Sequence, residues 1–206
     1  MRDRRVLAIV GSAVVAVAAV VVVVLTSLAP TPQFSSLADD PQTGVVAYGR
    51  SGAGEVVMVD LASGVSTTSA LGRDSEILGW DENGDLVVAS WGPGTERHMV
   101  VDASTGEVAN ESAGPPDDEI AQPVAGLWSE HRDGQVVILG AGSRVLVSFD
   151  APRAYEITTA ASFDDGRVVF VDSLGRVAVA EATEDVRPVL VAEDAEPWRQ
   201  VAARPA

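Results

Sequence analysis

Three tryptophans and one acidic cluster are the residues of this 206-residue chain whose types and spacing could do chemistry. Trp80, Trp91 and Trp128 each stand in or beside a short β-branched run. There an indole packs between sheets, or forms a platform on which a sugar or peptide stacks. Asp117, Asp118 and Glu119 sit in the polar stretch 114–119, as carboxylates for a divalent ion or as a solvated loop. Other combinations point away from chemistry. Asp81, Asn83 and Asp85 echo a calcium loop, but Leu86 and Gly92 stand where such a loop needs its glycine and its bidentate glutamate. His98 and His131 lack paired ligand spacing. Cysteine and lysine are absent, which removes thiol catalysis, thiolate ligation and a Ser-Lys mechanism. A glycosidase needs only two carboxylates, yet no pair among so many acids stands out. The chain is expected to carry no catalytic set, no metal and no cofactor.

The segment that positions everything else comes first in the chain. Residues 6–28 form an uncharged apolar run behind Arg2, Arg4 and Arg5. It exceeds the ~20 residues a helix needs to cross a bilayer. The arginines hold the short N-terminus (1–5) in the cytoplasm and send residues beyond the 29–33 linker outside. A cleaved signal peptide is the rival reading, with Ser27-Leu28-Ala29 as a cleavage-like triplet, but Pro30 follows at once and the apolar core is long. The expected location is a single-pass anchor in the cell membrane, with the C-terminal domain extracytoplasmic.

Charge narrows the partners. Three of the 14 basic and one of the 30 acidic residues precede residue 30, which leaves 11 against 29, a formal charge of −18. Such a surface repels nucleic acid and anionic headgroups, so no nucleic-acid partner is expected. Without cysteine, the exported part must be held by its core and not by disulfides.

That core is repetitive. Four segments share one grammar of short β-branched runs separated by turn residues. The second runs Glu76 to Trp80, a turn at Asn83-Gly84, Leu86 to Trp91, Gly92-Pro93-Gly94, His98 to Asp102, and a last strand near Glu107 to Asn110. The third turns at Asp133-Gly134 and the fourth at Asp165-Gly166; the first is read from Phe34-Ser35-Ser36-Leu37 through Gly44–Gly49 and Glu55–Asp60 to Gly64. Asn-Gly and Asp-Gly supply the positive φ angles of tight two-residue hairpins. Each unit is a four-stranded meander, so the fold class is all-β. It is a propeller-like array of about four antiparallel meanders over 34–192, after one transmembrane helix and before a tail, 193–206, that contains Trp198. Four units leave several arrangements open: a small closed ring, a ring completed by a second chain, ends covered by another protein, or a plain sandwich or open array.

Val100-Val101-Asp102-Ala103-Ser104-Thr105-Gly106-Glu107-Val108 resembles the outer half of a blade in bacterial and archaeal β-propeller repeat proteins of the quinoprotein-like (PQQ-type), YVTN or WD40-like kinds. Val59 to Gly64 is a weaker copy, and Trp128-Ser129 before Asp133-Gly134 is similar to the inner half. The resemblance implies blade architecture. Ala109 and Asn110 stand where quinoprotein repeats carry tryptophan, so it implies no quinone chemistry. The expected function is a non-catalytic binding or scaffold module in the envelope, tied to the bilayer by 6–28 and joined to a protein partner or a second copy. The alternatives are a glycan hydrolase or lyase with carboxylates at the ring centre, and the ectodomain of a sensor complex.

Overall fold

The computed structural model describes residues 32–204 apart from 51, 53, 73, 93–94, 113–121, 124–126 and 198. The apolar run 6–28, the acidic cluster Asp117, Asp118 and Glu119, and Trp198 therefore lie outside the described residues. No helix among the described residues is long and apolar enough to cross a membrane. Residues 32–206 form one compact unit.

Strands follow the turn grammar closely. After β1 (Ser35–Ser36) come β2 (Val45–Arg50), β3 (Glu55–Asp60) and β4 (Ser66–Ala70). The second group is β5 (Ser75–Trp80), β6 (Leu86–Gly92), β7 (Thr95–Val101), β8 (Val108–Ser112) and the short β9 (Gln122–Pro123). The third is β10 (Trp128–Arg132), β11 (Gln135–Leu139) and β12 (Val145–Asp150). The fourth is β13 (Ile157–Ser162), β14 (Val168–Asp172), β15 (Val177–Ala180) and β16 (Val189–Ala192), before the last strand, β17 (Val201–Arg204).

They form four sheets, ordered β17-β2-β3-β4, β8-β7-β6-β5-β9, β10-β11-β12 and β1-β16-β15-β14-β13. The second sheet contains the four-stranded meander expected from its sequence, with β9 added beside β5. The first differs. Its inner strand is β17, antiparallel to β2 with Val201 opposite Tyr48, and comes from the segment read as a tail. Phe34 to Leu37, read as the start of the first unit, instead contributes β1, which pairs in parallel with β16 of the fourth sheet. The two ends of the domain are thus built into sheets 1 and 4. The third sheet has three strands and not four. Its open edge is met by the β15–β16 connection, where the Ser148 N–H donates to Thr183 O and the Val186 N–H donates to Ser148 O.

Sheet faces pack on one another through three apolar clusters. One joins sheets 1 and 4 through Val46, Val57, Val169, Val179 and Val201. The next joins sheets 1 and 2 through Ala47, Met58, Ile77, Trp80 and Leu86. The third joins sheets 3 and 4 through Ile138, Phe149, Phe170 and Ala178, with Phe149 stacked on Phe170 at 5.4 Å between centroids. None of the three joins sheets 2 and 3, so the order in space is 3-4-1-2, propeller-like and unclosed. Sheets 1 and 4 are packed on both faces, which is why β2, β14 and β15 read as unbroken apolar runs. β5 keeps an alternating burial pattern. The exposed outer strand β8 (VANES) is polar, as an edge open to water should be.

Turn chemistry is as expected in kind, though not always in length. Asp133 and Gly134, with φ of 50° and 91°, make a two-residue hairpin between Arg132 and Gln135. At Asn83-Gly84 and Asp165-Gly166 the loops hold three residues, closed by Asp81 N–H to Asp85 O and by Phe163 N–H to Arg167 O. In both the glycine takes the left-handed position that closes such a loop. Asp81 Oδ1 accepts from the Asn83 and Asp85 N–H groups at 2.8 Å, so this carboxylate closes the turn.

The two Asp-x-x-x-Gly turns repeat in three dimensions. Asp102 Oδ1 accepts from the Ser104 hydroxyl and from the Ser104 and Thr105 N–H groups, and Asp60 Oδ1 accepts from the Ser63 hydroxyl and N–H. Those hydroxyl and backbone donors hold both carboxyls below the ordinary aspartate range. A lowered folded-state value adds stability above the unfolded value of about 3.9, and that stability is lost as pH falls through the folded values. The double variant Asp60→Asn/Asp102→Asn keeps an accepting oxygen but cannot titrate. Its thermal midpoint should fall less steeply than wild type below about pH 4. Parallel midpoint-against-pH curves would show that these turns do not carry the acid response.

Candidate functional site

Antiparallel meanders put alternate connections at opposite rims. On one rim of sheets 1 and 2 lie the end of β2, the start of β3, the start of β5, the end of β6 and the segment before β17. Here a cleft of about 530 Å³ is lined by Gly49, Val56, Asp74, Ser75, Glu76, Ile77, Trp91, Arg199 and Gln200.

Segment 194–200 straps this rim by a chain of specific bonds. The Tyr48 hydroxyl donates to Asp194 Oδ1 at 2.7 Å, and Arg50 bridges Asp194 at 2.8 Å and Glu55 at 2.9 Å. Burial, and then the Asp194 carboxylate, push the Tyr48 phenol well above its ordinary range, so it remains a donor. The Glu196 N–H donates to Gly49 O at 2.7 Å, and Arg199 is held by Glu196 Oε2 at 2.8 Å. Arg199 also reaches Ser75 Oγ at 3.4 Å, while the Gln200 amide donates to Glu76 Oε1 at 2.6 Å. Gly49 is required by this packing: a Cβ there would lie 2.5 Å from Arg199 Cδ. The cleft walls are therefore preset, with polar groups fixed beside an apolar floor of Val56 and Ile77.

The tryptophans separate. Trp80 is 1% exposed inside the core between sheets 1 and 2, with the Arg204 guanidinium 5.2 Å above its ring. It is a core residue and not a platform. Trp91 and Trp128 are each 43% exposed, and Trp91 lines the cleft whereas Trp128 stands at the start of β10 in another sheet. Sequence reasoning missed Glu76, Arg199 and Gln200. The signal for the last two was the β-compatible stretch after Pro197, which had been read as tail.

A second cleft of about 550 Å³ lies at the opposite rim between the same sheets, lined by residues that include Asp60, Asp85, Asp102 and Arg204. Asp60 and Asp102 are occupied by their own turns, and Arg204 Nη1 donates to Gly84 O. Among the described residues no group of three or more His, Asp or Glu could hold a metal ion. The inner strands β17, β5, β10 and β13 carry two acids, Glu76 and Glu130, bonded to Gln200 and Arg132 respectively. The histidines stay apart. His98 Nε2 meets Glu96 Oε1 at 2.9 Å and is buried; His131 Nε2 meets Tyr155 O at 2.6 Å.

Fold and site together define an all-β protein of repeated meander sheets in a propeller-like order. No family model matches the chain, and no curated protein matches it. Among solved structures it is similar to the C-terminal WD40 domain of Sif2, at 14% identity, covering 82% of this chain and 46% of that one, with a TM-score of 0.26. The chain thus spans under half of that domain's length, and the fold assignment here rests on the strand registers and sheet packing.

Proposed function

We propose that this chain is a membrane-tethered, extracytoplasmic binding module whose rim cleft between sheets 1 and 2 engages a protein partner. The single observation that carries the reading is the cleft itself. A half-exposed tryptophan sits beside polar side chains already fixed by neighbours, so little order is lost on binding. The tether is supported by the 6–28 run behind three arginines, and exclusion of nucleic acid by the acidic surface.

Absence of cysteine makes one test clean. Leu174 is 71% exposed, and Asp74 lies exposed at the cleft lip. With a membrane-impermeant maleimide, Leu174→Cys is expected to react on intact cells. Asp74→Cys should react several-fold more slowly on cells than in the purified full-length protein, because a partner covers it. Labelling of Leu174→Cys only after lysis would overturn the location. Equal Asp74→Cys rates in both settings would overturn the occupied cleft.

A further inference from the structure

We propose that the rim cleft is a receptor for a cationic side chain, Lys or Arg, presented by a polypeptide partner. This rests on the binding-module reading above and names the chemistry of its site.

The argument starts from what surrounds Trp91. Strand register sets Glu96 directly opposite it, and Glu76, opposite Ala89, lies on the diagonal of the same face. Such positions bring side chains within reach of one another across a sheet. The Trp91 backbone N–H donates to the Asp74 backbone carbonyl at 2.9 Å, which fixes the end of β6 at the cleft lip, and the acids that would meet a ligand here are Glu76 and Glu96. An exposed indole with one glutamate opposite it and another on its diagonal suits a cation, since the ring face and the acids attract the same charge. A neutral ligand would gain little from the acids and would bear part of their desolvation cost.

Both acids are held in place by hydrogen bonds. Glu76 accepts from the Gln200 amide, and Glu96 from the His98 ring, itself buried at 7% exposure. Of the cations described nearby, Arg199 lines the cleft with its guanidinium paired to Glu196, and Arg50 is paired with Glu55 and Asp194. The chain has no lysine of its own to fill the site. The cleft, at about 530 Å³, is large enough for one long side chain with its flanking backbone.

The test is isothermal titration of the full-length protein in neutral detergent with three acetylated, amidated pentapeptides, Gly-Gly-X-Gly-Gly. X is arginine, lysine, or citrulline, the last matching arginine in shape without its charge. Arginine and lysine peptides are expected to bind, and citrulline about tenfold more weakly. Trp91→Leu and Glu96→Gln should each reduce arginine-peptide binding several-fold. Glu181→Gln, which removes one exposed charge far from the cleft in sequence, should leave it unchanged. Glu76→Gln is read only with an unchanged melting midpoint, because Glu76 also anchors Gln200.

Equal binding of the arginine and citrulline peptides would overturn the cationic receptor, as would equal losses in Glu96→Gln and Glu181→Gln. Spermidine binding as tightly as the peptides would overturn a polypeptide source. Chitotriose binding that Trp91→Leu abolishes, with no peptide preference, would assign the platform to a neutral glycan. Failure here with Asp74→Cys still shielded on cells removes the cation and keeps the binding module. An unshielded Asp74→Cys removes the module itself.

Discussion

Val201→Asp is expected to abolish the cooperative unfolding transition of the β-sheet domain. β17 is the inner strand of the sheet that packs on both faces, so its side chains alternate between two cores. Val201 and Ala203 enter the cluster shared with sheet 4, and Ala202 enters the one shared with sheet 2. Val201 is 0% exposed within an apolar cluster. An unpaired carboxylate there costs several kcal/mol, of the order of 3–5. A single domain of this size has about 5–15 kcal/mol in total. One substitution thus removes a large share of the stability, and the effect spreads because β17 links three of the four sheets. Deleting 201–206 removes the strand outright and should do the same. Urea titration followed by circular dichroism checks both variants, with Gln200→Ala as the mild neighbour that loses only the bond to Glu76. A wild-type midpoint for Val201→Asp would mean that the last strand is dispensable. The site depends on the same strand, since Arg199 and Gln200 are placed by the residues that follow them.

That dependence explains which parts of the molecule were legible. Sheet 2 was read nearly strand for strand, because each pairing is local and each turn carries its glycine. β17 was not, for two physical reasons. Its partner β2 lies about 150 residues earlier, and pairing at that distance leaves no periodic trace. Its sequence, Val-Ala-Ala-Arg, is also short and weak in β-branched residues. The missing fourth strand of the third sheet belongs with this failure, since residues 183–186 reach β12 from another unit. The tryptophans show the consequence at the site. Trp80 ends β5 and Trp91 stands one residue before the end of β6, and what divides them is that β17 brings Ala202 and Arg204 to Trp80. Trp91 was a visible candidate, but its cleft is made by segments from distant parts of the chain.

Asp172→Ala is expected to cost about 3–5 kcal/mol, and the loss should shrink when Arg176 is removed with it. Asp172 is 0% exposed, at the end of β14. One carboxylate oxygen accepts from the Leu174 and Arg176 N–H groups at 2.9 and 3.0 Å, and the other from Arg176 Nε at 2.6 Å. The guanidinium lies 4.9 Å from the Phe34 ring centre and 5.6 Å from that of Tyr155. Burial, with the Asp172 charge added, pushes the Tyr155 phenol far above its usual range, so it supplies no second anion. Alanine at 172 therefore leaves a largely buried cation without a counter-charge and two N–H groups without an acceptor. Asp172→Asn keeps one accepting oxygen and should lose less. The double variant Asp172→Ala/Arg176→Leu leaves no unpaired charge and should recover part of the loss. The cluster also holds the start of the domain, because Phe34 packs beneath Arg176 while its carbonyl accepts from Arg187 at 2.9 Å. Amide exchange at Ser35, whose N–H donates to Pro188 O, should rise in Asp172→Ala before the central strand β14 opens. Additive single and double losses would mean that Asp172 and Arg176 are not coupled, and unchanged Ser35 exchange would mean that the pair does not fasten the entering chain. Recovery in the double variant together with raised Ser35 exchange in Asp172→Ala would show that the coupled pair fastens the entering chain to sheet 4.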